Sequence, residues 1–180
     1  TLYAHWTANV YTITLNNQSA TTAGSTAIYE KYATGIYKES SCITAMTTSA
    51  NAITVPSRAY TVTFNYNGNG TANTTATATW TFGGYYTATG GGGTQRIGAN
   101  GYITTNLTNT TYTANATLYA KWTGGTVSLP SPTRTGYTFA GWYTAASGGT
   151  QVTSSTQIKS SQTLYAHWTA NVYTITLNNQ

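Results

Sequence analysis

Apolar and polar residues alternate over several short stretches of this chain. In the opening TLYAHWT, Leu2, Ala4 and Trp6 fall on one face of an extended backbone and the more polar residues fall on the other. In VYTITLNN, a few residues later, Ile13 and Leu15 share a face in the same way. A period of two over four to eight residues predicts a half-buried strand. Each of these stretches is therefore predicted to form one.

The opening stretch recurs along the chain. TLYAKWT stands at 117–123 and TLYAHWT at 163–169, and residues 1–18 are repeated without change as residues 163–180. Thr163 follows Thr1 by 162 residues, and a fixed period of this kind indicates a tandem array. The chain is read as one period plus an overlap, and both copies are expected to adopt the same conformation. Only two residues, 8–9, separate the two strands of each copy, which should limit bending between modules.

Residues 18–58 have the weakest pattern. Ile28, Tyr32 and Ile36 are spaced four apart, as on one face of a short helix, and the stretch also fits a strand, hairpin and strand. Its Tyr, Thr and Gly content favours the β alternative. Pro56 is expected at an edge or a strand end, where its missing amide proton costs no ladder hydrogen bond.

A glycine, a large side chain and a tyrosine form a further repeated element. TFGGYYTATGGGGTQ aligns with TFAGWYTAASGGTQ when one residue is inserted, which matches Gly84 with Gly141 and Tyr85 with Trp142. A fainter copy stands at 35–37. The large residue changes from Ile to Tyr to Trp, which suits a core position, and the glycine predicts a β-bulge or a close backbone approach. The glycine run within the first of these sequences lacks a following GK[ST] and predicts a hairpin loop. The expected structural repeat positions are Trp6, Tyr11, Gly84, Tyr85, Trp122, Gly141, Trp142 and Trp168.

These patterns predict a mainly β fold of small tandem modules in an elongated array. The predicted segments are the end of a preceding repeat (1–9), module 1 (10–58), an expanded module 2 (59–123), a compact module 3 (124–169) and the start of the next repeat (170–180).

The amino-acid composition excludes several classes of function. Charged residues are 5% of the chain, against roughly 25% in an ordinary domain. The 16 Tyr and 5 Trp exclude a disordered linker. The formal charge of +5 comes from cations spread singly, whereas nucleic-acid binding would require a basic cluster, so no nucleic-acid partner is expected. No apolar run approaches the ~20 residues of a membrane span.

The residues needed for catalysis are scarce. Glu30 and Glu39 are the two acidic residues, and His5 and His167 are one repeat position seen twice. Lys121 takes that position in the middle copy, so the position is predicted to face solvent and to bind no metal. We therefore expect no catalytic, cofactor or metal site. The single cysteine excludes a disulfide within one period.

Acceptor triplets for N-linked glycosylation are frequent, although a Thr-rich chain produces many by composition alone. The possible acceptors are Asn17, Asn69, Asn73, Asn106, Asn109 and Asn115.

Several of these motifs, in fixed order, resemble the Listeria–Bacteroides repeat, the internalin-type B repeat. They are GYTFAGWYT, a Gly-rich turn with TQ, and TLYAHWT followed by YTITLN. The resemblance is strongest over 124–180 and weakest over 18–58. It implies small β-grasp-like modules in a secreted or surface-anchored bacterial protein, and it brings no catalytic residue. The expanded second module and the scarcity of acidic residues depart from the family pattern.

Two functions are consistent with the sequence. The first is a non-catalytic structural segment of an extracellular stalk, adhesin shaft or surface filament, with neighbouring repeats as partners and lateral or end-to-end self-association. The second is a multivalent binder of host or cell-surface glycans through exposed aromatic rings. The orientation of the Trp side chains separates the two, because buried rings favour the first and rings along one exposed face favour the second.

Overall fold

The computed structural model describes residues 1–68 and 70–178. Apart from a 3-10 turn at Thr89–Gly91, their regular structure consists of strands, and no α-helix occurs in this part of the chain. The prediction of a mainly β fold is therefore confirmed. The strands are β1 (Val10–Asn16), β2 (Ala27–Lys31), β3 (Gly35–Tyr37), β4 (Ala45–Met46), β5 (Arg58–Asn65), β6 (Thr74–Tyr86), β7 (Gln95–Ile97), β8 (Ala116–Gly124), β9 (Tyr137–Tyr143), β10 (Gln151–Val152) and β11 (Gln162–Ala170).

The segment with the weakest pattern, 18–58, forms strands β2, β3 and β4, as the β alternative predicted. Glu30 of β2 lies opposite Ile36 of β3, and Ile36 lies opposite Met46 of β4. Ile28 and Ile36, which a helix would have placed on one face, are both buried in the core beneath this sheet.

The chain divides into two compact units. Unit 1 is Thr1–Ala59 with Trp80–Gly124, and unit 2 is Tyr60–Thr79 with Gly125–Gln180. The chain passes from one unit to the other after Ala59, after Thr79 and after Gly124. The first and last of these positions lie one residue after the predicted module boundaries, and the second lies inside β6. The division into three modules itself stays a prediction.

Both units follow the same strand plan. In unit 1 the order is β4-β3-β2-β1-β8-β6, with β7 also paired to β6. β1 is antiparallel to β2 and parallel to β8, and β8 is antiparallel to β6. In unit 2 the order is β10-β9-β11-β5-β6, with β5 parallel to β11 and β11 antiparallel to β9. Each unit therefore has a central parallel pair, made of its first strand and its last.

Each unit also has its own apolar core. The core of unit 1 contains Ile13 and Leu15 from β1 and Leu118 from β8. The core of unit 2 contains Phe64 from β5 and Leu164 from β11. Alternate residues of the central strands therefore supply each core, as the period of two predicts.

The two copies of the eighteen-residue segment fold differently, so the expectation of equal conformations is wrong. Residues 1–8 form no strand, whereas the same residues at 163–170 lie in β11. Residues 172–178 form no strand, whereas their counterparts form β1. β1 and β11 each lie between two partner strands, and the described residues provide no partner to the other two segments. A strand needs neighbours for its backbone hydrogen bonds, so sequence alone does not make one.

Candidate functional site

The repeated glycine lies at a bulge in both units. Gly84 has a φ of 103° and Gly141 a φ of 134°, which are conformations that residues with a Cβ rarely adopt. The ladder register shifts between Phe82 and Tyr85 in one unit. In the other unit it shifts between His167, which lies opposite Gly141, and Trp168, which lies opposite Phe139. The sequence therefore predicted the bulge from the glycine itself.

The large residue after each glycine fills a core. Tyr85 is 0% exposed and Trp142 is 1% exposed. The Tyr85 hydroxyl donates a hydrogen bond to Oδ1 of Asn17, and burial raises the pKa of Tyr85 to about 12. The Trp142 indole donates to the Pro130 carbonyl at 2.7 Å. Both residues thus bury a ring and satisfy its polar atom, as expected for large aromatic residues in a core.

A glutamine closes the bulge in each unit. Gln95 Nε2 donates to the Gly83 carbonyl at 3.0 Å, and Gln151 Nε2 donates to the Ala140 carbonyl at 3.4 Å. In both units the acceptor is the residue before the bulged glycine. The repeated TQ in the sequence is therefore a structural signature of the bulge.

The tryptophan at the end of the last strand is also used alike. Trp122 Nε1 donates to the Asn17 carbonyl at 3.1 Å, and Trp168 Nε1 donates to the Tyr66 carbonyl at 3.0 Å. Both rings are partly buried against their cores. In each unit this bond ties the last strand to the end of the first.

The two remaining repeat positions lie at the start of the chain. Trp6 is 92% exposed, although its counterpart Trp168 is partly buried. Tyr11 is half-buried, and its ring meets that of Tyr32 edge to face at 6.4 Å between centroids. At this repeat position the tryptophan therefore packs against a core only in the second copy, as Trp168.

The position shared by histidine and lysine is not simply turned to solvent, which corrects the prediction. His167 is half-buried, its ring stacks on Tyr143 at 3.9 Å, and its Nε2 lies 2.9 Å from the Ala145 carbonyl. Lys121 lies over the equivalent ring, with Nζ 5.4 Å from the Tyr86 centroid. The position accepts both residues because either one can cover a tyrosine face.

An open groove of about 280 Å³ lies in unit 2. The Arg134 guanidinium stacks on Tyr137 at 3.8 Å and lies 5.9 Å from the Trp168 ring. Aromatic faces thus hold this cation in place. The groove is lined by Asn67, Arg134, Tyr137, Ala146, Ser147, Gly148, His167 and Trp168. An aromatic floor with a fixed cation suits a ligand that has both a flat apolar face and a negative charge.

Unit 1 contains a buried polar cluster that sequence reasoning missed. Glu30 is fully buried, and its Oε2 accepts a hydrogen bond from the Tyr112 amide at 3.0 Å. Among the described residues, Glu30 Oε1, Arg96 Nε and the Tyr112 hydroxyl are buried without a hydrogen-bond partner. Burial raises the pKa of Glu30, and the Tyr112 amide partly offsets this rise. Burial also raises the pKa of Tyr112, which the Arg96 charge lowers and the Glu30 charge raises. Glu30 is two residues from Ile28 in β2 and therefore shares its inward face. This shared face was the one signal in the sequence that Glu30 would be buried.

The raised pKa of Glu30 is expected to make the stability of the protein depend on pH. Because its folded pKa is raised above 4.5, its contribution to stability is full below that pH and is lost as pH rises through the folded pKa. Glu39 acts in the opposite direction, since the Thr44 amide lowers its pKa and its contribution is lost only as pH falls below 4.5. We therefore expect wild type to lose more stability than Glu30→Gln between pH 4.5 and neutrality. Urea unfolding at several pH values measures this difference, with Glu39→Gln as the control. Parallel curves for wild type and Glu30→Gln would contradict the expectation.

The six acceptor asparagines differ in their surroundings. Asn17 binds the Tyr85 hydroxyl, and Asn115 accepts a hydrogen bond from the Thr12 amide at 2.9 Å. Asn73 and Asn106 are exposed, and Asn109 is half-buried. Asn69 lies outside the described residues. Exposed amides are the more accessible acceptors, but whether any of the six carries a sugar stays a prediction.

Two further properties can be stated for the described part of the chain. It holds no group of three or more His, Cys, Asp or Glu side chains arranged to bind a metal ion. None of its helices is long and apolar enough to cross a membrane.

Part of the chain is similar to a known protein family. Residues 123–167 match the family model of the Listeria-Bacteroides repeat domain. No curated protein and no solved structure matches the chain. The matched residues run from the end of β8 through β9 and β10 into β11, so they include the Gly141 bulge, Trp142 and the TQ turn.

Proposed function

We propose that the chain is a non-catalytic structural repeat segment of a long extracellular bacterial stalk, adhesin shaft or surface filament, because residues 123–167 match the family model of the Listeria-Bacteroides repeat domain. The family is associated with bacterial surface proteins. The neighbouring repeats are its partners, and lateral or end-to-end association builds the filament. Small β-grasp-like modules belong to this proposal, and the central parallel pair of each unit supports them.

The observation that carries the proposal is the duplication of local structure. The two units share the bulged glycine, the glutamine that closes it and the indole that ties the last strand. In both units a backbone amide of the first strand also donates to a side chain: the Thr12 amide donates to Asn115 Oδ1 in unit 1, and the Thr61 amide donates to Ser161 Oγ in unit 2. Repetition of a scaffold without repetition of a reactive group favours a structural role.

The location of the aromatic rings supports the same role. Trp80 and Trp142 are buried and Trp122 packs against a core, whereas Trp6 is exposed. Three of these four rings therefore stabilise the units instead of forming an exposed binding face.

Small-angle scattering from a chain extended by one further period tests the proposal. A compact protein of that length has a radius of gyration of about 20 Å. We expect a radius at least about a third larger, with the maximum dimension increasing in proportion to the number of periods. A radius close to the compact value would contradict the elongated shaft.

We also propose a second function, the binding of acidic glycans, because of the groove in unit 2. Its fixed Arg134 would pair with a sugar carboxylate, while Tyr137 and Trp168 would contact the sugar ring. One weak site in each period would give multivalent attachment along an array.

Titration with a uronic acid oligosaccharide tests this second function. We expect millimolar binding that Arg134→Gln abolishes and Arg58→Gln leaves unchanged, since Arg58 stacks on Trp80 outside the groove. Equal affinity for both variants would remove the groove from consideration. It would leave the structural proposal intact.

A further inference from the structure

Among the described residues, seven of the eight large apolar side chains that are more than 70% exposed lie in segments 1–8 and 172–178. Leu2 is 102% exposed and Ile175 is 84% exposed. Each has an identical counterpart in the other copy of the repeated segment, and both counterparts, Leu164 and Ile13, are 0% exposed. The same residues are thus core residues wherever their strand has neighbours.

The halves of the repeated segment fold in a complementary way. The first half folds only in the second copy, as β11, between β5 and β9. The second half folds only in the first copy, as β1, between β2 and β8. In a continuous array each internal copy would have both sets of neighbours.

The asparagine between the halves uses different atoms in the two copies. In the second copy the backbone amide of Asn171 donates to the Gly136 carbonyl at 2.8 Å, and the side-chain Oδ1 of Asn171 accepts from the Thr138 hydroxyl at 2.7 Å. In the first copy the Asn9 carbonyl accepts from the Tyr32 amide at 2.9 Å. In both copies Nδ2 donates to the tyrosine two residues on, at 3.2 Å from Asn9 and 3.1 Å from Asn171.

No atom is therefore required twice. The amide and Oδ1 of this asparagine bind the unit that ends, and its carbonyl binds the unit that begins. The bonds to the two units therefore do not compete for the same donor or acceptor.

We propose that residues 172–178 form the first strand of the next period's unit 1, and that residues 1–8 form the last strand of the preceding period's unit 2. Residues 172–178 then pair antiparallel with the next period's copy of β2 and parallel with its copy of β8, in the register of β1. The occupant of each exposed segment is thus the neighbouring repeat of the same chain. This inference rests on the tandem array of the proposed function and adds the way in which consecutive periods are joined.

Hydrogen exchange on a chain extended by one period tests the proposal. Val172→Ile in the internal copy alone gives its peptide a distinct mass, and Val10, the equivalent residue, is 44% exposed and should tolerate the same change. We expect the amides of this internal segment to exchange at least ~100-fold more slowly than those of the final copy, which has the same sequence apart from the marker. Equal exchange in the two copies would overturn the proposal.

A substitution gives a second, independent measurement. Ile175→Ser should leave the melting temperature of the 180-residue chain unchanged. In the extended chain it should lower the melting temperature of one transition as much as Ile13→Ser does.

Scattering from the same extended chain separates the two proposals. An elongated particle with an unprotected junction would retain the shaft and reject the shared junction. A compact particle with a protected junction would reject the shaft and retain the shared junction.

Discussion

Leu164→Ala is expected to reduce the free energy of unfolding of unit 2 by about 2–5 kcal/mol, whereas Leu2→Ala should change stability by less than about 0.5 kcal/mol. Leu164 is fully buried in β11, between β5 and β9. Removing its side chain loses apolar burial and leaves a cavity in a close-packed core. Leu2 occupies the same repeat position and is fully exposed.

Urea denaturation followed by tryptophan fluorescence measures both variants. The pair is a matched control because each leucine lies within the same eighteen-residue sequence and only the tertiary environment differs. Equal destabilisation by the two substitutions would show that residues 1–8 are packed in solution. That result would contradict the exposed conformation of this segment.

Gly84→Ala is expected to destabilise unit 1 by about 2–4 kcal/mol, from backbone strain together with overpacking. The φ of Gly84 is 103°, and a Cβ built there would lie 2.3 Å from the Ile97 carbonyl oxygen and 2.5 Å from Gln95 Nε2. The carbonyl belongs to the backbone of β7 and cannot move away without breaking its pairing with β6. The bulge would therefore have to open, and Tyr85 would leave its core position.

The neighbouring Gly83→Ala is the control for this prediction. Its Cβ would meet only the Lys121 side chain, at 3.3 Å or more, and a flexible side chain can give way. We expect a change of less than about 1 kcal/mol, since alanine also suits a strand interior better than glycine. Thermal unfolding with circular dichroism distinguishes the two variants. If both cost the same, the bulge conformation would not be the cause.

Strand existence was predictable because alternation is a local property. The faces assigned to Ile13 and Leu15 are the buried ones, and Tyr85 and Trp142 occupy the core positions that their interchange suggested. The bulges were predictable because glycine at that place in a strand has few other uses. The groove around Arg134 was not predictable, because its lining comes from loops and strands that are distant along the chain.

The eighteen-residue repeat separates the two kinds of information most clearly. The sequence by itself determined the period, the inward positions and the family resemblance, since all three are readable from residue order. Only the tertiary structure decided which copy of each half becomes a strand. It also decided that Glu30 is buried, together with Nε of Arg96 and the hydroxyl of Tyr112. The physical reason is the same in both cases: backbone pairing and burial depend on neighbours supplied by remote parts of the chain, and identical residues without those neighbours remain exposed.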